Sequence, residues 1–376
     1  MTARILHIIE TEGPGGAETV LVDLVHGLRD AQTETRAVIP VAQSWLGRAL
    51  PAEARAVIPP STVAFSAPID LAYVRALRAE IVRYRPTVVH AHNFDAALYA
   101  ALALRGSALP LAVTFHGASD VERRGVNNRI KWWMLRRANA IVCVSHRLQA
   151  LAQQVPGVPR GRLRAIHNGS DLARIPTVRS TALRERLGLA PTATLIGALG
   201  NVRGPKGYNF LLDAVANLRS RGHDVHIAIA GDDAGALGDA LKAQRSALAL
   251  DSHVTFLGFQ DDPGDFLAGL DLFVLPSTSE GFSISTVQAL AAGLPVVATR
   301  SGGPEEIVVN DVSGLLVPAG SADALVAGLT RVIEDPALAQ RLASQGRERA
   351  ASHFSLQTML RAYRALYAEL SREPTA

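Results

Sequence analysis

The chain has 376 residues, of which 48% are hydrophobic and 19% charged, and its formal net charge is +4 at pH 7. Single hydrophobic cores stop growing at about 250 to 300 residues, so this length predicts two domains, with enough apolar content to fill both. The composition excludes a large disordered part, the lone Cys143 excludes an intramolecular disulfide or a cysteine metal cluster, and no uncharged apolar run reaches the roughly 18 residues of a membrane span.

The opening residues, MTARILHIIE, run into a strand pattern without a cleavable leader, so a cytoplasmic location is the default expectation. Short β-branched and apolar runs then alternate with helical segments. RILHII, ETRAVI, TVVHA, LAVTFH and AIVCVS come first; TLIGALG, HIAIAG, VTFLG, LFVLPS and PVVAT follow. Strands that are continuously apolar and separated by helices belong to parallel sheets covered on both faces, which makes the class α/β.

The two halves echo each other. RILHIIETEGPGGAETVLVDLVHGL and TLIGALGNVRGPKGYNFLLDAVANL each read as strand, glycine-rich turn and amphipathic helix. Lower apolar density and two prolines in residues 169–192 mark the junction. We expect Rossmann-like domains over 1–172 and 173–355, with helix N-termini aimed at a common cleft. A terminal segment, 356–376, carries Leu356, Met359, Leu360, Tyr363, Leu366, Tyr367 and Leu370 at helical spacing, a stripe that must dock on something.

Several residues stand where chemistry is done in such sheets, beyond the carboxyl ends of strands. Gly13, Gly15 and Gly16 could let backbone approach a phosphate, or could simply form a tight turn; GPGGAE is not the dinucleotide fingerprint G-x-G-x-x-G. Arg203 and Lys206 in NVRGPKG stand at a helix start, where two cations could neutralise a departing diphosphate. His116 ends LAVTFH and should project from the strand end. His90 and His92 lie two apart on one strand face without an evident third ligand, so a structural role is expected of them and no metal site is expected. In SEGFSISTVQ, Ser285 and Gln288 match the capping box S-x-x-Q, which would account for Gln288 without any ligand and leaves Glu280 unexplained.

Positive charge is local. ERRGVNNRIKWWMLRRA holds Arg123, Arg124, Arg129, Lys131, Arg136 and Arg137 around Trp132 and Trp133, and PRGRLR adds Arg160, Arg162 and Arg164. The tryptophans could face the core, or residues 123–137 could rest peripherally on a membrane. Nothing resembles a nucleic-acid-binding motif, so no nucleic-acid partner is expected.

In order and spacing, GPGGAE, TFHG, AIVCVSHRLQALA, IHNGSD, GNVRGPKGYNFLLDAV, LPSTSEGFSISTVQALAAGLPVVAT and GGPEEIV resemble the retaining glycosyltransferases of family four over nearly the whole chain. The resemblance implies a GT-B fold: two Rossmann-like domains facing a central cleft, with the C-terminal helix crossing back to the first. It implies retaining transfer of a hexosyl group from a nucleotide-diphosphate sugar to a sugar or lipid-linked sugar acceptor, in polysaccharide or glycolipid synthesis, without cofactor or metal.

By position, Arg203 and Lys206 would hold the diphosphate, with Gly15, Gly16 and Asn201 close to it. Glu280 would take sugar hydroxyls, Gly281, Phe282, Ser283 and Ile284 would hold sugar and phosphates, and His116 would face the reacting carbon. The chain departs from the family pattern where Gln288 replaces a ribose-binding glutamate and where Asn201 occupies the usual place of an arginine that here stands at 203. A sugar-nucleotide epimerase on the same lobes, and a decayed nucleotide-sugar binder, are the alternatives.

Overall fold

In a computed structural model the described residues are 3–10, 13–39, 44–58, 69–122, 128–156 and 158–372. They form two units, 1–168 with 356–376, and 169–355. In the first, β1 (Ala3–Ile9), β2 (Thr33–Ile39), β3 (Arg55–Val57), β4 (Val88–His92), β5 (Leu111–Phe115), β6 (Ala140–Cys143) and β7 (Leu163–Ala165) pair in the order β3-β2-β1-β4-β5-β6-β7. In the second, β8 (Thr194–Leu199), β9 (Val225–Ala230), β10 (Val254–Phe256), β11 (Leu272–Leu275), β12 (Val296–Thr299) and β13 (Leu315–Val317) pair as β10-β9-β8-β11-β12-β13. Every pairing is parallel. These are two parallel Rossmann-like sheets, as the apolar runs predict, and they match the pair that the GT-B resemblance implies.

Strand order reverses between β1 and β4 in one sheet and between β8 and β11 in the other. Connections leave in opposite directions on either side of such a point, so a crevice opens beyond the carboxyl ends of the two central strands. Both sheets are covered by amphipathic helices. Helix Gly16–Gly27 buries Val20, Leu21, Leu24 and Val25, and helix Tyr208–Ser220 buries Leu211, Leu212, Ala214, Val215 and Leu218.

The terminal helix, Leu356–Arg372, packs within the first unit on β1, β4 and helix Gly16–Gly27, burying Met359, Leu360, Tyr363, Leu366, Tyr367 and Leu370. Its approach depends on a missing side chain: a Cβ on Gly27 would stand 2.4 Å from a Leu360 methyl. Arg364 secures the same contact by bonding the Gly27 carbonyl at 3.2 Å and the Asp30 carboxylate at 3.0 Å. Among the described residues no helix is long and apolar enough to cross a membrane.

Leu360 is 1% exposed. Leu360→Ala should therefore cost about 2 to 5 kcal/mol of stability through lost burial and the cavity left behind. Denaturant unfolding measures this, and a loss below about 1 kcal/mol would show that the helix is not held by its stripe.

Candidate active site

At the switch point of the second sheet, two loops are stitched together. A single 3-10 turn, Gly204–Lys206, leads into helix Tyr208–Ser220 through Gly207, at φ 65° and ψ 24°. A Cβ there would stand 2.2 Å from the Pro276 carbonyl oxygen, so both the left-handed backbone and the close approach require glycine. Thr278 donates its backbone N–H to the Pro205 carbonyl at 2.7 Å and its hydroxyl to the same oxygen at 3.2 Å.

The result is an ion pair. Lys206 Nζ lies 2.7 Å from Glu280 Oε1, and the Ser277 hydroxyl donates to that oxygen at 2.7 Å. The Glu280 main chain is held as well, its N–H donating to the Ser301 carbonyl and its own carbonyl accepting from Gly303 N–H. A mostly buried carboxylate held by one cation and one hydroxyl is pre-oriented to accept hydrogen bonds from further hydroxyls, beside a cation able to meet an anion. Arg203 is exposed one turn away. Asn201 accepts from the Asp232 N–H at 2.9 Å, tying the loop after β8 to the loop after β9.

Helix Ile284–Ala291 begins just beyond Glu280. Its cap is Ser283, whose hydroxyl accepts from Thr286 N–H at 3.3 Å and from the Thr286 hydroxyl at 2.8 Å. The capping box expected of Ser285 and Gln288 is therefore not formed: the helix starts two residues earlier, which moves Gln288 beyond the first-turn position that reaches back to a cap. Gln288 Nε2 instead makes a long 3.5 Å contact with Ser170. Phe282 is buried against Phe354, ring centroids 5.7 Å apart, which pins Gly281–Ile284 over the strand ends.

In the first unit, Gly15 is the extended residue preceding helix Gly16–Gly27, and a Cβ on it would stand 2.8 Å from a Glu18 carboxylate oxygen. At this sheet's switch point four histidines gather. Parallel pairing sets His7 of β1 opposite His90 of β4, and His92 follows two residues on along the same face. His7 Nδ1 is 3.1 Å from His92 Nε2, and His92 Nδ1 is 3.2 Å from His116 Nε2. His90 bonds Tyr367 through Nδ1 and Thr114 through Nε2, both at 2.7 Å.

Asp120 anchors the outer end of this series. Its carboxylate accepts from the backbone N–H groups of His116 (2.8 Å), Gly117 (3.3 Å) and Phe94 (3.2 Å). Burial holds every ring in the group neutral: His7 is pushed down to about 3 and His116 to about 4, while His90 and His92 lie well below the ordinary range, first through burial and then through neighbouring rings. His7, His90 and His92 have ligand atoms within 4.8 Å of one another, so a third histidine does join the pair seen in the sequence. Both nitrogens of His90 are already hydrogen-bonded, which a metal would have to undo.

Residues 14–174 match the model of Glycosyltransferase Family 4, and residues 179–349 that of Glycosyl transferases group 1. A glycogen synthase of Mycobacterium tuberculosis is 30% identical over 301 residues, 77% of this chain and 70% of that one. The chain belongs to the group 1, family-four glycosyltransferases. The lipopolysaccharide core biosynthesis glycosyltransferase LpsE of Rhizobium meliloti is 28% identical over 94% of this chain and 96% of its own. The solved structure of Anabaena Alr3699/HepE in complex with UDP and glucose superposes with a TM-score of 0.85 at 24% identity, covering 98% of this chain and 100% of that one. The epimerase alternative gains no support from these relatives.

Within this glycosyltransferase the structure joins Lys206 to Glu280, with Asn201, Arg203 and Gly281–Ile284 on the same unit; His116, Gly15 and Gly16 belong to the other. Sequence reasoning missed Ser277, His7 and Asp120. The last was legible as an acid four residues after His116, in HGASD, a spacing suited to bonding the turn's own N–H groups. Of the basic aromatic segment, residues 123–127 and the side chains of Arg129, Lys131 and Trp132 lie outside the described residues. Trp133 is exposed, Met134 and Leu135 are buried, and Arg137 and Arg162 bond carbonyls of neighbouring loops.

The four neutral histidines predict acid sensitivity. Their folded values lie below the ordinary 6.5, so the unfolded chain binds more protons once the pH drops under that value. Stability is complete above about pH 6.5 and is lost as pH falls toward about 4, at up to about 1.4 kcal/mol per pH unit for each histidine. Melting temperatures at pH 7.5 and 5 test this, and equal values would refute it.

Proposed function

We propose that this glycosyltransferase moves a hexosyl group from a nucleotide-diphosphate sugar to an acceptor hydroxyl with retention of anomeric configuration, in polysaccharide or glycolipid synthesis. The observation that carries the reading is the Lys206–Glu280 pair held by Ser277 at the switch point of the second sheet. Nucleotides bind such sheets at this place. The Anabaena protein's complex with UDP and glucose supports a nucleotide-sugar donor, and the lipopolysaccharide-core relative supports a glycan acceptor.

On this reading an arriving diphosphate takes Lys206, whose three N–H donors can serve a phosphate oxygen and Glu280 at once. Arg203, on the exposed side of the turn, adds a second cation. Glu280, held in place by Ser277, accepts hydrogen bonds from donor-sugar hydroxyls, while the first-turn N–H groups of helix Ile284–Ala291 face developing negative charge. As the glycosidic bond to the diphosphate breaks, these groups stabilise the leaving anion, which takes the proton of an acceptor hydroxyl attacking from the same face. No protein nucleophile and no metal are needed. The family resemblance assigns His116 to the sugar.

Lys206→Ala should lower kcat by about a hundredfold or more while leaving the melting temperature of the ligand-free enzyme within a few degrees. Nuclear magnetic resonance of the first-formed product reads the anomeric configuration, and inversion would sink the retaining assignment. Activity should persist in EDTA. Complete loss that returns with Mg²⁺ would overturn the metal-free scheme.

A further inference from the structure

Three of the histidines form a series rather than a cluster. His116 Nε2 meets His92 Nδ1 at 3.2 Å, and His92 Nε2 meets His7 Nδ1 at 3.1 Å. His7 and His92 are fully buried, and His116 is the half-exposed end. A neutral imidazole has one N–H donor and one bare acceptor nitrogen, so each ring fixes the tautomer of the next. Only two proton patterns satisfy both contacts: protons on all three Nε2 atoms, or protons on all three Nδ1 atoms.

The ends distinguish the two patterns. His7 Nε2 and His116 Nδ1 are buried and have no hydrogen-bond partner among the described residues. The Nε2 pattern strands an N–H donor at His7, at the closed end of the series. The Nδ1 pattern leaves a bare acceptor there and moves the one unpaired N–H to His116 Nδ1, on the partly exposed ring at the open end, where a bound ligand can supply the acceptor that no described side chain supplies at His7. With Nε2 held by His92, any hydrogen bond from the His116 ring to a substrate must go through Nδ1.

We propose that His7 and His92 are positioning residues that lock His116 as its Nδ1–H tautomer, so that His116 meets the substrate as a hydrogen-bond donor and not as a base. The substrate half of this statement rests on the role assigned to His116 above; the tautomer half does not. His90 stands beside the series, its ring centroid 4.2 Å from that of His92, and is kept out of it by Tyr367 and Thr114. Asp120 accepts from three backbone N–H groups at the outer end, including that of His116 itself.

The test is long-range proton–nitrogen correlation spectroscopy on the full chain with ¹⁵N-labelled histidine, ligand-free, near pH 7.5. The expected result is a bare Nε2 and a protonated Nδ1 for His7, His92 and His116 alike. His7→Leu should release His116 to a mixture of tautomers and lower kcat by about tenfold with the donor KM within about twofold. His7→Asn places an amide N–H near the lost Nδ1–H and should restore both the single tautomer and the rate, which a purely structural role would not require. A protonated Nε2 on His116, an unchanged His116 tautomer in His7→Leu, or stoichiometric zinc bound by His7, His90 and His92 in the purified protein would each overturn the proposal. Were the glycosyl-transfer reading wrong, the rate measurements would fail while the nitrogen shifts remained as expected.

Discussion

The candidate site depends on the adjacency of two parallel strands whose connections run opposite ways. Because β11 lies beside β8, the loop after Leu199 and the loop after Leu275 open side by side, and no connection crosses between them. Everything placed there follows from that gap. The close passage of Gly207 over the Pro276 carbonyl draws the lysine turn onto the glutamate loop, and Lys206 and Glu280 then pair at hydrogen-bond distance. A side chain at 207 would push apart the two loops that make the pair.

The first sheet uses the corresponding gap differently. Its central strands, β1 and β4, carry imidazoles instead of aliphatic side chains toward the terminal helix, and the helix answers with Tyr363 and Tyr367, one turn apart. Polar groups are costly in such a position unless each finds a partner. Most of them do so through one another, with Thr114 linking His90 to Tyr363. Uncharged rings in a packed interior favour fixed tautomers over proton uptake, which sets this site apart from the ionic one on the second sheet.

Much of the architecture was legible locally. Continuous apolar runs announced parallel strands, and the stripe on the terminal helix announced a docked face, because burial on both sides of a sheet and on one side of a helix leaves different periodicities. The helix start after Glu280 was harder to read. SISTVQ offers Ser283 and Ser285 as caps, and both satisfy local preferences. Burial of Phe282 against Phe354 fixes the chain so that Ser283 reaches the open N–H groups. His7 looked like one polar residue within RILHII, since nothing nearby says which residue lies opposite.

The sequence by itself determined the α/β class, the doubled strand, glycine turn and helix, and the presence of cations and a carboxylate at strand ends, all of which are written in residues close together along the chain. Tertiary structure decided the partners. Lys206 and Glu280 are 74 positions apart and His7 and His92 are 85 apart. Which of them meet depends on sheet order and register, and these are set by packing two whole faces of each sheet, a constraint that no local stretch contains.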